Sequence, residues 1–293
     1  TRRLAVLKDR DTDHDIGFQI NCSYGNGMRL TGDSTDAALY VECARILAGR
    51  FTEETGVTKS WNFLRNDWRY PVIIDNMMNL EILTKAAEIS GDSSLKDIAV
   101  RHARTTLNNH FREDWSCWHL VDYDPETGAV RSKETVQGYT DESSWARGQA
   151  WALYGYTMMY RETGMEEFLE AARNIGNMIM DRLPEDGIPY WDFDDPAIPE
   201  ALKDASAGAI MASAFIELST LTGDNRYMET ARRQLLTLGS DEYLAKPGEN
   251  AGFLLKHGVG NIPGGTEIDV PLSYADYYFL EALVRYSIIS SEE

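Results

Sequence analysis

The chain has 293 residues and a formal net charge of −19 at pH 7. That charge excludes nucleic acid as an expected partner, because the phosphate backbone would be repelled. No segment approaches the roughly 18 apolar residues of a membrane span, and no apolar signal-peptide core follows Thr1. The three cysteines, Cys22, Cys43 and Cys117, form no C-x-x-C pair, so reduced thiols are expected. These features predict one soluble domain over residues 1–293 in the cytoplasm, or in the periplasm if a leader was removed.

Apolar residues recur at helical spacing through most of the chain. In chain order, helices are predicted over residues 35–49, 71–90, 93–111, 142–163, 166–182, 204–221, 225–239 and 271–289. The second of these places Pro71 in the first helical turn, where a missing N–H costs nothing. A pair of strands is predicted at 118–123 and 129–133, joined by the turn Asp124–Gly128.

A short turn that contains glycine repeats between the predicted helices. Ser90-Gly91-Asp92, Thr163-Gly164 and Thr222-Gly223-Asp224 each end one helix just before another amphipathic helix begins. Such repetition is typical of an array of helical hairpins. The connections on the other side, 114–141 and 184–203, are longer and rich in aromatic residues. Short turns at one end and long aromatic loops at the other predict an all-α toroid with a pocket at one end.

Asp75 is the first candidate catalytic residue. It lies among Ile73, Ile74, Met77 and Met78, and burial among apolar side chains should raise the pKa of its carboxyl group toward neutrality. A general acid at cellular pH needs such a pKa. The alternative is an ordinary helical aspartate that faces water.

A second acidic group, Asp11, Asp13, His14 and Asp15, precedes an apolar stretch. On the local pattern, a solvated entry to a helix is the simpler interpretation. The functional alternative pairs Asp15 with Asp75, because two carboxylates in one pocket separate their pKa values and leave one ionised and the other protonated. No second set of metal ligands is evident, so neither a metal nor another cofactor is expected.

Large aromatic and polar residues are candidates for sugar binding. Trp145, Arg147 and Trp151 share one predicted helix, and tryptophan rings can stack on sugars while arginine pairs with carboxylates. A tryptophan-rich core helix with a buried salt bridge fits the same spacing equally well.

Three more candidates lie near the predicted strands or ahead of the Asp75 helix. His119 and Gln137 flank the predicted hairpin, and Trp61 precedes the helix. Taken alone, His119 and Trp61 are more typical of packing than of binding.

Together these residues resemble the unsaturated glucuronyl hydrolases of glycoside hydrolase family 88. The resemblance rests on His14–Phe18, Ile73–Leu80, Ser116–Asp124 with the turn that follows it, and Ser144–Tyr156, in the same order along almost the whole chain. It implies an (α/α)6 barrel of helical hairpins. Members of the family usually have a further helical segment before the His-Asp-Ile-Gly-Phe motif, where about a dozen residues stand here. A barrel without its first one or two helices is therefore expected.

The resemblance also implies roles for the candidate residues. Asp75 falls at the position of the general acid/base, and Asp15 at that of a second essential aspartate that contacts the sugar. Substrate-pocket positions are occupied by Trp61, His119, Gln137, Trp145, Arg147 and Trp151. The implied protein is a bacterial enzyme of polysaccharide and glycosaminoglycan degradation. It would act after lyases on unsaturated uronate-containing oligosaccharides, as a monomer or weak homodimer.

The implied reaction begins at the C4=C5 double bond that lyases leave in the terminal uronic acid. Asp75 would protonate C4, positive charge would spread over C5 and the ring oxygen, and ionised Asp75 would take a proton from water that attacks C5. The resulting hemiketal opens and releases the next sugar. Arg147, His119 and Gln137 would offset the uronate charge. Because the glycosidic oxygen is not protonated first, the rule that links carboxylate spacing to retention or inversion does not apply.

Three alternatives stay open on the sequence. An unsaturated rhamnogalacturonyl hydrolase would share the barrel and the chemistry, although the Arg147–Trp151 string favours the glucuronyl group. A barrel that binds sugar without turnover is the second alternative. The third is a sugar epimerase, for which no clear pair of catalytic histidines is present.

Overall fold

The computed structural model describes residues 2–62 and 68–291. Their contacts divide the chain into two compact units. The first comprises the described residues of Thr1–Phe111, Leu120–Lys133 and Met158–Met165, and the second those of Arg112–His119, Glu134–Thr157 and Glu166–Glu293. One domain over residues 1–293 stays a prediction.

Five α-helices belong to the first unit: α1 (Ile16–Ile20), α2 (Asn26–Thr31), α3 (Ala37–Ala48), α4 (Leu80–Ser90) and α5 (Ser93–Asn109). A π-helical turn, Asn21–Gly25, joins α1 to α2, and a 3-10 helix spans Arg2–Asp9. The helices predicted over 35–49 and 93–111 are confirmed as α3 and α5. The structure adds the short helices that precede α3.

A three-stranded sheet in the order β1-β2-β3 is formed by β1 (Pro71–Ile73), β2 (Leu120–Tyr123) and β3 (Val130–Glu134). The predicted hairpin is confirmed as β2 and β3. The helix predicted to begin near Pro71 is wrong. That segment is a strand antiparallel to β2, followed by a 3-10 helix at Ile74–Asn79 and only then by α4.

The reason for the strand at Pro71 lies in its partners. Val72 and Ile73 are β-branched and buried, which favours a strand, and proline is tolerated as the first residue of one. The carbonyl of Pro71 accepts the N–H of Ser60 at 2.9 Å. The backbone is further fixed by Asp122, whose Oδ1 accepts the N–H of Tyr70 at 2.7 Å.

The remaining helices are α6 (Ala146–Thr163), α7 (Glu166–Arg182), α8 (Ala205–Thr222), α9 (Asn225–Leu238) and α10 (Ser273–Ser290). The predicted start of α6 at residue 142 is four residues too early. Trp145 is paired with Asp192 in an isolated β-bridge, and the N–H of Ser144 is bound by Asp194 at 2.8 Å. These contacts keep Ser144 and Trp145 out of the helical conformation, so α6 begins at Ala146.

Most residues of α8 are small or apolar and buried, so this helix lies in the core of the second unit. Its N-cap is Asp204, whose carboxylate accepts the N–H of Ser206 at 2.9 Å. By length and hydropathy α8 could cross a membrane, but 78% of it is buried within the protein, which is typical of a core helix.

The predicted glycine turns are confirmed. Gly91, Gly164 and Gly223 have φ of 74°, 68° and 70°, in the left-handed region that residues other than glycine adopt at a steric cost. Helices make up 55% of the residues that the structure describes, in agreement with the predicted all-α class. All three cysteines are free thiols.

Candidate active site

In the first unit, Asp75 lies on the 3-10 helix and is partly exposed. Ile74 and Met77 beside it are completely buried, and Met78 is nearly so. The helix is fixed through Asn76, whose side chain accepts a hydrogen bond from Ser60 at 2.8 Å and donates one to the Thr58 carbonyl at 2.6 Å. Asp75 therefore projects from a rigid turn with the apolar surroundings that the sequence predicted.

Asp15 immediately precedes α1 and has a half-exposed carboxylate. Its Oδ1 lies 3.1 Å from Nε2 of His14, which is buried. Burial acts to raise the pKa of Asp15, but the charge of His14 and hydrogen bonds from His14 and Asn79 outweigh it and lower that pKa below its usual value. Asp15 is consequently ionised at neutral pH.

Asn79 connects α1 to the helix that carries Asp75. Its Oδ1 accepts the N–H of Phe18 at 2.5 Å, and its side chain also hydrogen-bonds to Asp15. At Gly17, a Cβ atom would lie only 2.8 Å from the Asn79 carbonyl oxygen. The two elements are thus packed backbone to backbone.

Asp75 and Asp15 both act on His14, since the charge of each raises the pKa of that imidazole. Asp15 therefore contacts His14 directly, and Asp75 lies near enough for its charge to affect the same ring. Trp61, the third candidate in this unit, is buried and paired with Asp13 in an isolated β-bridge. Its ring centroid lies 5.9 Å from that of Trp68.

In the second unit, His119 is buried against Trp145, with ring centroids 4.5 Å apart. Its Nδ1 lies 3.1 Å from the N–H nitrogen of Val136 and 3.3 Å from that of Gln137. Because Nδ1 accepts from these backbone groups, the ring is neutral and carries its proton on Nε2. The imidazole is therefore oriented by the 136–137 backbone.

Arg147 is almost completely buried. Its guanidinium lies 3.1 Å from the Asp204 carboxylate, donates to the carbonyls of Val259 and Gly260, and stacks 4.4 Å over the Trp145 ring. Asp204 was not identified from the sequence. Its only signal there is its position at the start of α8, which is explained by capping alone.

Gln137 donates to the same Gly260 carbonyl at 3.0 Å. Trp151, on α6, lies 6.0 Å from Tyr274 and 5.6 Å from Tyr278 of α10. These two tyrosines were also missed, although their spacing of four residues places them on one helical face. His119, Gln137, Trp145, Arg147 and Trp151 thus form one aromatic and polar group within the second unit.

Among residues 2–62 and 68–291, no three histidine, cysteine, aspartate or glutamate side chains are grouped to hold a metal ion. The profile of Glycosyl Hydrolase Family 88 matches residues 19–284. The chain belongs to Glycosyl Hydrolase Family 88. The match includes Asp75 and all six predicted sugar-binding residues, and it begins four residues after Asp15.

Relatives of this family 88 protein are similar over most of its length. An unsaturated glucuronyl hydrolase from Formosa agariphila is 47% identical over 281 residues, which cover 95% of this chain and 70% of that protein. An unsaturated chondroitin disaccharide hydrolase from Streptococcus pyogenes serotype M1 is 34% identical over 288 residues, covering 96% and 72%.

A crystal structure of an unsaturated glucuronyl hydrolase specific for heparin superposes with a TM-score of 0.96 and 48% identity, covering 98% of this chain and 78% of that one. The resemblance to the unsaturated glucuronyl hydrolases and the α/α fold class are confirmed. The protein is a glycoside hydrolase. The individual roles of its candidate residues stay predictions.

Proposed function

We propose that this family 88 protein removes the terminal 4,5-unsaturated uronic acid from oligosaccharides released by polysaccharide lyases, with Asp75 as proton donor. The observation that carries the proposal is that the ionised Asp15, 3.1 Å from the buried His14, and Asp75 both act electrostatically on that histidine. Two carboxylates in unlike settings can hold different protonation states, and acid–base chemistry needs that difference. The names of the relatives support the substrate class.

The reaction starts when protonated Asp75 delivers its proton to C4 of the unsaturated ring. The electron pair of the C4=C5 bond forms the new C–H bond, and the positive charge at C5 is shared by the ring oxygen. Asp75, now a carboxylate, accepts a proton from water as its oxygen bonds to C5. The product is a hemiketal that opens and releases the second sugar, while Asp75 returns to its protonated form.

Asp15 serves as an acceptor for sugar hydroxyls in this proposal. Its carboxylate is ionised and half-exposed, so it can accept hydrogen bonds from a ligand while His14 and Asn79 fix its position. Hydrogen bonds that involve a charged acceptor are about twice as strong as neutral ones. Its position therefore favours recognition of the ring that Asp75 protonates.

The second unit carries its own group for sugar binding. In this proposal Trp145 and Trp151 stack on the sugar rings, and His119 and Gln137 provide polar atoms held in fixed orientations. Arg147 has an indirect role in this group. Asp204 balances its charge, and its guanidinium donates hydrogen bonds that hold the backbone of residues 259–260 in place.

The proposal is tested with a panel of unsaturated disaccharides from chondroitin, heparin and pectin lyases. Turnover is followed as loss of the ultraviolet absorbance of the C4=C5 bond, and the matching saturated disaccharides serve as controls. We expect loss of absorbance with the glucuronyl substrates. Cleavage of the pectin product alone would favour a rhamnogalacturonyl hydrolase, and calorimetric binding without turnover would favour a sugar-binding barrel.

We also propose a cytoplasmic location and a monomer or weak homodimer. The three free thiols support the location, since cytosolic proteins keep cysteines reduced. Cell fractionation with an antibody to the native protein tests the first proposal, and sedimentation velocity over a range of concentrations tests the second. Recovery in the periplasmic fraction, or a stable higher oligomer, would contradict them.

A further inference from the structure

We propose that His14 is a positioning residue of the catalytic pair: a buried imidazolium that holds Asp15 in place and keeps the negative charge on that carboxylate. The inference rests on the proposed function, because Asp15 is useful to catalysis only if it contacts the sugar beside Asp75. A positively charged ring can stabilise the Asp15 carboxylate, which the neighbouring Asp75 carboxylate cannot do.

Backbone hydrogen bonds hold His14 in place independently of its side chain. Its N–H donates to the Ser60 carbonyl at 2.8 Å, and its own carbonyl accepts the N–H of Gly17 at 3.2 Å. The imidazole is 4% exposed, and its Nε2 lies 3.1 Å from Oδ1 of Asp15. Because the backbone N–H and carbonyl of His14 are both hydrogen-bonded and its imidazole is buried, the ring has little freedom to move away from the Asp15 carboxylate.

The charged groups around His14 are mostly carboxylates. Asp13 precedes it in the chain, Asp15 follows it, and Asp75 reaches it from the 3-10 helix. Another titratable neighbour is His102 on α5. Burial acts to lower the pKa of His14, but the three carboxylates together raise it above the usual value.

Two other histidines in the same unit show that burial alone does not produce this charge. Nδ1 of His102 accepts the backbone N–H of Thr58 at 2.9 Å, and Nε2 of His110 is 3.1 Å from the Val72 carbonyl. Burial lowers the pKa of His102 to about 3 and that of His110 to about 4, so both rings are neutral. His14 differs from them by its carboxylate neighbours.

The cation has a direct consequence for the catalytic pair. With His14 charged, the Asp15 carboxylate is stabilised in its ionised form. Without that charge, Asp15 would take up a proton at higher pH and lose its value as an acceptor of sugar hydroxyls. The pH at which activity falls on the acid side of the pH–rate profile should therefore depend on the charge of His14.

The first experiment compares His14→Gln with His102→Gln. Glutamine can present an N–H near the position of Nε2 without a positive charge, so the first variant separates charge from hydrogen bonding. We expect His14→Gln to move the acid limb of kcat/KM for an unsaturated disaccharide toward neutral pH by about one unit. His102→Gln, the matched control, should lower stability and leave the limb in place. A merely structural role for His14 would lower the rate by the same factor at every pH.

The second experiment requires no substrate. The ring Cε1–H signals of the wild-type histidines are recorded by NMR from pH 5 to 8 and assigned in isotope-labelled wild-type protein through ring-to-backbone correlations. We expect a protonated ring at His14 and a neutral one at His102 at pH 7. A neutral His14 ring at pH 6 would overturn the proposal even if His14→Gln fails to fold. If the protein turned over no unsaturated disaccharide, the proposed function would fail while this measurement stood.

Discussion

Arg147 and Asp204 form an ion pair 3.1 Å long in which neither side chain is more than 3% exposed. Asp204 also caps α8 through Ser206 and accepts the N–H of Val259 at 3.1 Å. The pair therefore joins the first turn of α6, the first turn of α8 and the segment that follows Lys256. Arg147, which is predicted to help offset the uronate charge, therefore has a protein carboxylate as a partner.

Arg147→Met should destabilise the protein strongly. The substitution keeps a long apolar side chain but leaves the Asp204 carboxylate buried without its cation, which costs about 3–5 kcal/mol in comparable buried pairs. Urea unfolding followed by circular dichroism measures the change in the free energy of unfolding. Arg226→Met is the control, because Arg226 pairs with Asp224 at the surface, and it should leave the unfolding midpoint unchanged. Equal midpoints for both variants would show that the buried pair is not stabilising.

The sequence allowed two interpretations of this helix, and the structure shows the buried salt bridge of one of them, while sugar binding stays a prediction. A buried salt bridge in a tryptophan-rich helix was one of them, but its acidic partner is 57 residues away. No local pattern identifies a partner at that distance. The glycine turns were predictable because a positive φ at Gly91 or Gly223 is a local property.

The error at Pro71 has the same physical origin. Proline in a first helical turn and proline as the first residue of a strand are both acceptable locally, and the choice was made by pairing with β2. The buried apolar residues next to Asp75 were predictable because they are its chain neighbours, whereas the roles of Asp75 and Asp15 stay predictions. Asn79, which connects the two elements, could not be given that role without the fold.

Asp75→Asn should abolish turnover and preserve the fold. Asparagine is similar in shape but cannot donate a proton to C4 or accept one from water, and loss of a general acid/base typically reduces the rate about 10²–10⁴-fold. The assay is the loss of absorbance of the unsaturated bond, with circular dichroism to check folding. Asp36→Asn, at an exposed aspartate before α3, should retain wild-type activity. Near-normal turnover by Asp75→Asn would refute the assignment.

Acid should destabilise the first unit through its buried histidines. The pKa of His102 is about 3 and that of His110 about 4 in the folded protein, against about 6.5 when unfolded. The unfolded chain therefore binds protons that the folded chain excludes, and stability falls as pH drops from about 6.5 toward those values. Each ring contributes a slope of about 1.4 kcal/mol per pH unit in that window.

The slope is measured from urea unfolding at a series of pH values between 7 and 4.5. His102→Gln should be less stable than the wild type at pH 7, because the Thr58 N–H loses its imidazole partner. Its stability should nevertheless fall less steeply with decreasing pH, by about 1.4 kcal/mol per unit. Parallel slopes for the two proteins would mean that His102 does not titrate on unfolding in this range.

Gly17→Ala should impair catalysis without removing any polar group. A Cβ atom at residue 17 would lie 2.8 Å from the carbonyl oxygen and 2.9 Å from the Cβ of Asn79, so α1 must move away from the helix that carries Asp75. That displacement separates Asp15 from Asn79, and misplacement by about 1 Å can cost about 10²-fold in rate.

Gly27→Ala is the matched control, because a Cβ there meets nothing within 4 Å and alanine favours the helix by about 0.5–1 kcal/mol. Steady-state kinetics and thermal unfolding of both variants test the prediction, which fails if Gly17→Ala keeps the kcat/KM of Gly27→Ala.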